Sequence, residues 1–518
     1  MARRVVACGT PTLATAVAVA VAAVAAAAVG AAAAAAASAT GTAAGGYGRP
    51  AAASSSCVGD IKAVTFRLAP PARTPSGVYA AGVVPDDPGL PPFLRGAALN
   101  LTALRRHWYS GGGGGGGDDT GGGGGGWTAR TTDGHYHHWW SRRRHRHRPS
   151  FKVRAAAPYV AGAGVGRGRA HLVAAPGEQT LLALRFGWAD PAAQGGGGLA
   201  PSCGRLGFAG TAVGSPATGW DVSGTAFHAF RRPTGLRLVR SSQSVAAGVE
   251  ALEKAIASGG DGVRQIGRVD HDVAAAKVDL RLAPSVVVAF GGVPPVAATF
   301  LAVAAAGVSV PPEVAVADSP LGVPYVMYNA ASTLKVRFDL PASVDAALTS
   351  LEAIQARLAS AAAGVTVAPT GADYDAAALD AGGSGLSTQT SNSTTADAAW
   401  ARLTAALDAA PVTVAYLAQH DLSVVAAGGD PGGKFNRAAV FGNPKLGTPI
   451  MQSAFTAGID LPVKLGVYTE VRGKDAEVSV AYVQPEWVAN RHGTGVDVSA
   501  LTTALDNFSN AAIAPADK

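Results

Sequence analysis

An internal repeat constrains this chain more than any other feature. Shifting the sequence by 151 positions lays Leu252 on Leu403, Ile256 on Leu407, Phe290 on Phe441, Gly291 on Gly442, Gly307 on Gly458, Pro311 on Pro462 and Val316 on Val467. No gap is needed from Phe290 to Val316. Past the next hairpin the shift is 154, placing Tyr328 on Tyr482, and Ala347-Leu348-Thr349 falls on Ala500-Leu501-Thr502 at 153. Small drifts at turns are what changes of loop length produce. Because the order of elements repeats along with the residues, the C-terminal half reads as two diverged copies of one unit.

In the second copy, Trp400, Leu403 and Leu407 recur at helical spacing within 396–409, and Val412 to Leu417 alternates as a strand. Another strand ends at Phe441, where Gly442-Asn443-Pro444 turns the chain. Thr448 before Pro449 reads as a helix N-cap with proline at the first helical position, and Gly458 as the glycine that ends that helix. Leu461 to Tyr468 and Val478 to Val483 read as a hairpin across Arg472-Gly473-Lys474. The predicted class is α+β: two tandem modules, 241–365 and 396–515, each an antiparallel sheet of about four strands with helices packed on one face. Residues 371–395, rich in Gly, Ser, Thr and Asp, read as a flexible linker. Small two-layer modules bury an exposed sheet face or edge by pairing, so the copies are expected to pack as an intramolecular pseudo-dimer.

Ahead of the repeat the composition changes. Met1-Ala2-Arg3-Arg4 followed by an apolar stretch from Leu13 to Ala37 has the form of a secretory signal, with Ala-x-Ala cleavage sites between Ala31 and Ala44. A retained stretch of this length would anchor the chain in a membrane, and an organellar transit peptide is the third reading. Residues 1–44 are therefore a signal peptide or anchor. Secretion or exposure at the cell surface is the expected localisation, a membrane-anchored or organellar one the alternative, and membrane contact follows only if the leader is retained. Asn-x-Ser/Thr triplets at Asn100, Asn392 and Asn507 agree with export.

Residues 56–235 read as a β-rich region of short runs punctuated by glycine and proline. It is interrupted at 111–150 by polyglycine and then HYHHWWSRRRHRHR, a low-complexity insert expected to be disordered. Its histidines could take up a metal ion or its arginines a polyanion, but without spaced cysteines or an HExxH helix it is no defined metal site. The net charge is +7, and Arg142, Arg143, Arg144, Arg146 and Arg148 supply five of it. Basicity this local argues against a nucleic-acid-binding face. Of the three cysteines, Cys8 lies in the leader, which leaves Cys57 and Cys203 as the expected disulfide of an exported chain.

The string Phe441-Gly442-Asn443-Pro444-Lys445-Leu446-Gly447-Thr448-Pro449-Ile450-Met451-Gln452 closely resembles the signature of the domain-of-unknown-function 302 family. So do Ile459-Asp460-Leu461-Pro462-Val463-Lys464, Tyr482 through Pro485-Glu486-Trp487, and Arg491-His492-Gly493. The first copy resembles the family elsewhere, at Arg268-Val269-Asp270-His271 and from Ala274 to Leu282, so the second copy is the nearer. The resemblance implies a fold and carries no agreed activity.

The candidate binding residues are Asn443, Lys445, Gly447 and Thr448, with Tyr482 and His492. At the positions of Asn443, Pro444, Lys445, Gly447 and Thr448 the first copy has Gly292, Val293, Pro294, Val296 and Ala297, so its loop has lost every polar group. A small anion at this loop would use the helix N-terminal amides and Lys445, whereas turn and capping chemistry explains Asn443 and Thr448 without a ligand. His271, His420 and His492 are scattered and there is no G-x-S-x-G elbow, so no catalytic constellation and no cofactor is implied. The expected function is that of a secreted or surface-exposed, non-enzymatic binding protein. The alternatives are an enzyme acting on a small anionic molecule and a structural cell-wall or matrix protein.

Overall fold

Three antiparallel sheets organise the chain. The computed structural model describes residues 57–69, 79–103, 150–156, 166–174, 180–189, 205–215, 219–259, 262–292, 294–369, 383–426, 430–470 and 476–515. The leader, the 111–150 insert up to its last residue, and Cys203 with its expected disulfide lie outside them.

The first sheet has eight strands in the order β1-β8-β7-β6-β5-β4-β3-β2. They are β1 (Cys57–Leu68), β2 (Tyr79–Val83), β3 (Ala98–Ala103), β4 (Ser150–Ala156), β5 (Gly166–Ala174), β6 (Thr180–Ala189), β7 (Arg205–Ser215) and β8 (Gly219–Arg231). Each strand from β2 on pairs with the next, and β1 pairs with β8. The period of a half-buried strand is plain in β8, where Trp220, Val222, Ala226, His228 and Phe230 point inward.

The second and third sheets are equivalent strand for strand, β10-β11-β12-β13-β9 and β15-β16-β17-β18-β14. The first module holds β9 (Leu236–Arg240), α1 (Val245–Ala257), β10 (Arg264–Asp270), α2 (His271–Ala276), β11 (Ser285–Gly291), α3 (Pro294–Ala302), a 3-10 turn at Ala304–Ser309, β12 (Glu313–Asp318), β13 (Pro324–Asn329), α4 (Ala331–Phe338) and α5 (Asp345–Ala363). The second repeats the order as β14 (Leu386–Ser391), α6 (Ala396–Ala409), β15 (Thr413–Gln419), α7 (His420–Ala426), β16 (Asn436–Gly442), α8 (Pro444–Ser453), a 3-10 turn at Phe455–Ile459, β17 (Val463–Thr469), β18 (Val478–Val483), α9 (Pro485–His492) and α10 (Ser499–Ile513). Even the register irregularity repeats, between Gln265 and Gly267 in one and between Val414 and Tyr416 in the other. Helices cover one face of each sheet: Leu252, Ile256 and Leu351 meet Phe290 and Val316 in the first, and Leu403, Leu407 and Leu505 meet Phe441 and Val467 in the second.

Three local expectations are corrected. Each module has five strands, not four, and the fifth strand of the second, β14, lies within the stretch read as linker. Its sequence, Leu-Ser-Thr-Gln-Thr-Ser, is that of an edge strand bonded on one side only, to β18, with no apolar stripe to betray it. The cap of α8 is Asn443, whose Oδ1 accepts the Lys445 N–H at 3.0 Å, with Pro444 at the first helical position. Thr448 is buried inside that helix. Gly458 does not end α8. It sits in the 3-10 turn, where a Cβ would stand 3.2 Å from Ser285 Oγ and 3.7 Å from the His271 ring.

The uncovered sheet faces meet each other. β11, β17 and β18 are buried along their whole length, because helices cover one face and the opposite module the other. One set of polar contacts across this junction is a reciprocal pair. His271, at the start of α2, places Nε2 at 3.1 Å from the carbonyls of both Gly458 and Leu461, and His420, at the start of α7, places Nε2 at 3.1 and 3.0 Å from those of Gly307 and Val310. Carbonyls only accept, so each Nε2 carries the proton. Where equivalent residues face each other they differ. Lys464 Nζ donates to Glu313 Oε2, and these two are the same position of the repeat. Tyr416 donates its hydroxyl to Glu313 Oε1 at 2.6 Å, and its ring fills the space where a Cβ on Gly267, its own equivalent, would come within 2.1 Å.

The eight-stranded sheet closes on both modules. Phe230 packs edge-on to Phe455 at 4.9 Å and to Tyr325 at 5.9 Å, and the Tyr325 hydroxyl donates to Asp60 Oδ1 at 2.6 Å.

Candidate functional site

The six candidate residues fall in three places. At the loop, Asn443 takes the Lys445 amide through its side chain and the Leu446 and Gly447 amides through its carbonyl, at 2.9 and 3.0 Å. The amides on which anion binding would depend are thus engaged, and Lys445 stands exposed. Thr448 is fully buried, its Oγ1 without a partner. Tyr482 donates to Asp506 Oδ1 at 2.6 Å on α10, and burial together with that carboxylate pushes its pKa up to about 12.

His492 belongs to a polar chain at the junction of the modules. Pro485 starts α9 and Gly493, at φ +67°, ends it, so Arg491 and His492 are its last two residues. The Thr456 hydroxyl donates to His492 Nδ1 at 2.9 Å, and His492 Nε2–H donates to Asp460 Oδ2 at 2.8 Å. Arg491 donates to the same carboxylate, to Asn329 Oδ1 at 2.7 Å and to the Thr234 carbonyl at 3.1 Å. Asn329 in turn donates to Asp460 Oδ1 at 3.0 Å. Burial alone would raise the pKa of Asp460, but Arg491 first, then His492 and Arg337, hold it well below the carboxylate range. Burial lowers the pKa of His492 against the pull of Asp460, so the ring is neutral, as its bonds require. The order hydroxyl, imidazole, carboxylate is that of an activated nucleophile. Yet Thr456 and His492 are each 2% exposed.

The first module carries the same helix end with different partners. Arg337 and Phe338 are the equivalents of Arg491 and His492, while Ser309 and Ala305 stand for Asp460 and Thr456. Arg337 Nε donates to the Ser384 carbonyl, the counterpart of the bond from Arg491 to Thr234. Its guanidinium lies 4.2 Å from the Trp487 ring centre, whose other arginine neighbour, Arg491, is at 5.2 Å. Among the described residues no carboxylate bonds Arg337. Its Nη2 and the Ser309 Oγ are both buried without a partner. Burial pulls its pKa down to about 9, with Asp460 opposing and Arg491 adding to the fall.

A cavity of about 320 Å³ opens beside this arginine, lined among others by Ala305, Arg337, Phe338, Asp339, Ser384 and Leu386. A second, of about 360 Å³, lies where Lys62 and Arg240 meet Ser241 to Ser244. The hydroxyls there are already engaged: Ser241 and Ser242 donate to backbone carbonyls and Ser244 caps α1. None of Thr456, Asp460, Arg491 and His492 lines either cavity. Among the described residues no group of three or more His, Cys, Asp and Glu could hold a metal ion, and no helix is long and apolar enough to cross a membrane.

Sequence reasoning placed His492 among the candidate binding residues but not Thr456 or Arg337, and it met Asp460 and Arg491 only within the strings that carry the family resemblance. The signal that could have found them was the repeat itself, in which a Thr, Asp and His of one copy align with an Ala, Ser and Phe of the other while the arginine is kept.

Compared with known proteins, residues 238–358 and 387–512 match the family described as Domain of unknown function DUF302. A crystal structure of an uncharacterized conserved DUF302 protein from Bacillus stearothermophilus aligns over 98% of its own chain and 25% of this one, at 13% identity and a TM-score of 0.23. Among curated proteins, 66 residues are 35% identical to the fluoride-specific ion channel FluC 1 of Brucella suis biovar 1 (strain 1330), covering 13% of this chain and 25% of the channel. A stretch of the same length and identity matches FluC 1 of Brucella abortus biovar 1 (strain 9-941), covering 23% of it. This chain therefore spans about a quarter of the length of those relatives.

Proposed function

Because both modules of this chain belong to the domain-of-unknown-function 302 family, which fixes a fold and no chemistry, we propose a function from the junction between them: an exported, non-enzymatic binding protein whose two modules act as one pseudo-dimeric unit and take up a small anion there. The observation that carries this reading is the asymmetry of the two arginines. Arg491 is bonded by Asp460, whereas Arg337 is a half-buried cation beside a cavity and, among the described residues, is bonded by no carboxylate. A cation removed from water is costly unless it is paired, and an anion from solution would supply the missing partner. The one chain that resembles a nucleophilic triad serves to join the modules, since its arginine reaches Asn329 and Thr234 of the first module and its hydroxyl is closed off from any incoming substrate. A nucleophile must come within bonding reach of the group it attacks. Export rests on the basic and apolar leader.

The test is an ester and amide turnover screen run beside an anion-binding screen on the mature protein and on Thr456→Val. The binding reading expects saturable anion binding in both proteins and hydrolysis in neither. Turnover that disappears in Thr456→Val would replace it with the enzyme reading.

A further inference from the structure

Building on that binding reading, we infer that the cavity beside Arg337 is a site for one small monocarboxylate with an apolar body, its carboxylate standing toward Arg337 as Asp460 stands toward Arg491. The protein contains its own template for this complex. In the second module the helix-end arginine keeps a backbone carbonyl of the opposite module on one side and a carboxylate on the other. In the first module the carbonyl is kept, at Ser384, and the carboxylate's place in the repeat is held by Ser309, a buried hydroxyl without a partner. The guanidinium is held in place from both ends, by Ser384 and by the Trp487 ring, so little side-chain freedom remains to be lost when an anion arrives.

The class of ligand follows from what lines the cavity. Among the described lining residues Arg337 is the only cationic one, and the Asp339 carboxylate stands among them. One guanidinium balances one negative charge, and Asp339 repels a second, which disfavours a phosphate dianion. The planar fork of arginine matches a carboxylate. Beside the polar Ser384 and Thr388, Val303, Ala305, Val336, Phe338 and Leu386 present apolar surface. Phe338 stands where the second module has a donating histidine, so at this position the site presents a hydrocarbon surface in place of a hydrogen-bond donor. The second module cannot offer the same site, because Asp460 already occupies the position. One ligand is therefore bound per chain.

Calorimetry on the full chain with benzoate, its neutral isostere benzamide, and inorganic phosphate tests the site. Benzoate is expected to bind once per chain and to bind at least tenfold more weakly to Arg337→Gln, with benzamide and phosphate weaker than benzoate. The decisive variant is Ser309→Asp, which supplies the second module's carboxylate. It is expected to weaken benzoate at least tenfold while raising the melting temperature, a combination that a misfolded variant cannot produce. Benzoate binding unchanged in both variants overturns the site. Arg337-dependent binding of phosphate in preference to benzoate overturns the carboxylate class and leaves the binding reading standing. Silence of all three probes, extended to a wider anion screen, overturns the site and the binding reading together.

Discussion

Arg337 and Arg491 occupy one position of the repeat, at the ends of equivalent helices, and each crosses to a backbone carbonyl of the other module. One is bonded by a carboxylate that an imidazole also bonds; the other borders a phenylalanine and a cavity, and a serine holds the carboxylate's place in the repeat. The histidines nearer the middle of the junction behave differently, since His271 and His420 have kept both their identity and their pairs of carbonyl acceptors. The histidine-to-carbonyl pairs and the arginine-to-carbonyl bonds are the same on both sides, whereas the residues beside the two arginines differ. Where the divergence lies at the junction itself it is complementary. Glu313 meets Lys464 and Gly267 makes room for Tyr416, so the second module paired with a copy of itself would bury two lysines together and two tyrosines in one space, and the first would bury two glutamates together.

The comparison is sharpest at the clasp. Asp460→Asn leaves Arg491 buried without its counter-charge and is expected to destabilise the protein by about 3–5 kcal/mol. Ser309→Ala, at the equivalent position, removes a hydroxyl with no partner and is expected to change stability by less than about 0.5 kcal/mol. Denaturant unfolding of the two variants measures the contrast, and equal losses would erase it.

The retained histidines predict a pH dependence. Burial depresses the pKa of His420 to about 4, against the two carbonyls that favour the charged ring, and also lowers that of His271. The unfolded chain, with ordinary imidazoles, then binds more protons than the folded one between these values and about 6.5. Stability is therefore full above about pH 6.5 and is lost as the pH falls toward 4, His420 alone accounting for roughly 3 kcal/mol. His420→Gln should flatten the acid limb of a melting-temperature profile, and an unchanged limb would show that the ring is not held neutral.

Smaller effects are expected at the edges of the comparison. Gly267→Ala forces the Tyr416 ring aside and should destabilise by about 1–3 kcal/mol. Lys445→Ala, at a helix start whose amides Asn443 already engages, should stay within about 0.5 kcal/mol and leave benzoate affinity unchanged. A loss of affinity there would return the site to the loop.

The repeat and the succession of helix, strand, turn and hairpin were legible in the sequence because Phe290 and Phe441, Gly307 and Gly458, and Pro311 and Pro462 keep their spacing. The edge strands were not, since β14 alternates Ser, Thr and Gln and its partner β18 is about a hundred residues away. The cap of α8 was misplaced because Thr448-Pro449 and Asn443-Pro444 both carry cap chemistry, and only burial of Thr448 decides between them. Of the junction chain, His492 was visible as a residue and invisible as a partner: Asp460 lies 32 positions away, and Asn329 lies in the other module. Arg337 was beyond reach for a further reason. Its significance is a carboxylate that is missing, which one copy of a repeat shows only when the other stands beside it.

The claim that the modules are complementary halves of one unit is tested most directly by a charge exchange at their junction. Unfolding free energies of Glu313→Lys, Lys464→Glu and the double variant form a cycle around a pair that the fold brings together from equivalent positions. Each single variant is expected to destabilise strongly by burying like charges, and the double to recover part of the loss, with a coupling of roughly 2–3 kcal/mol. Losses that simply add in the double variant would contradict the account, because they would mean that Glu313 and Lys464 do not recognise each other across the junction.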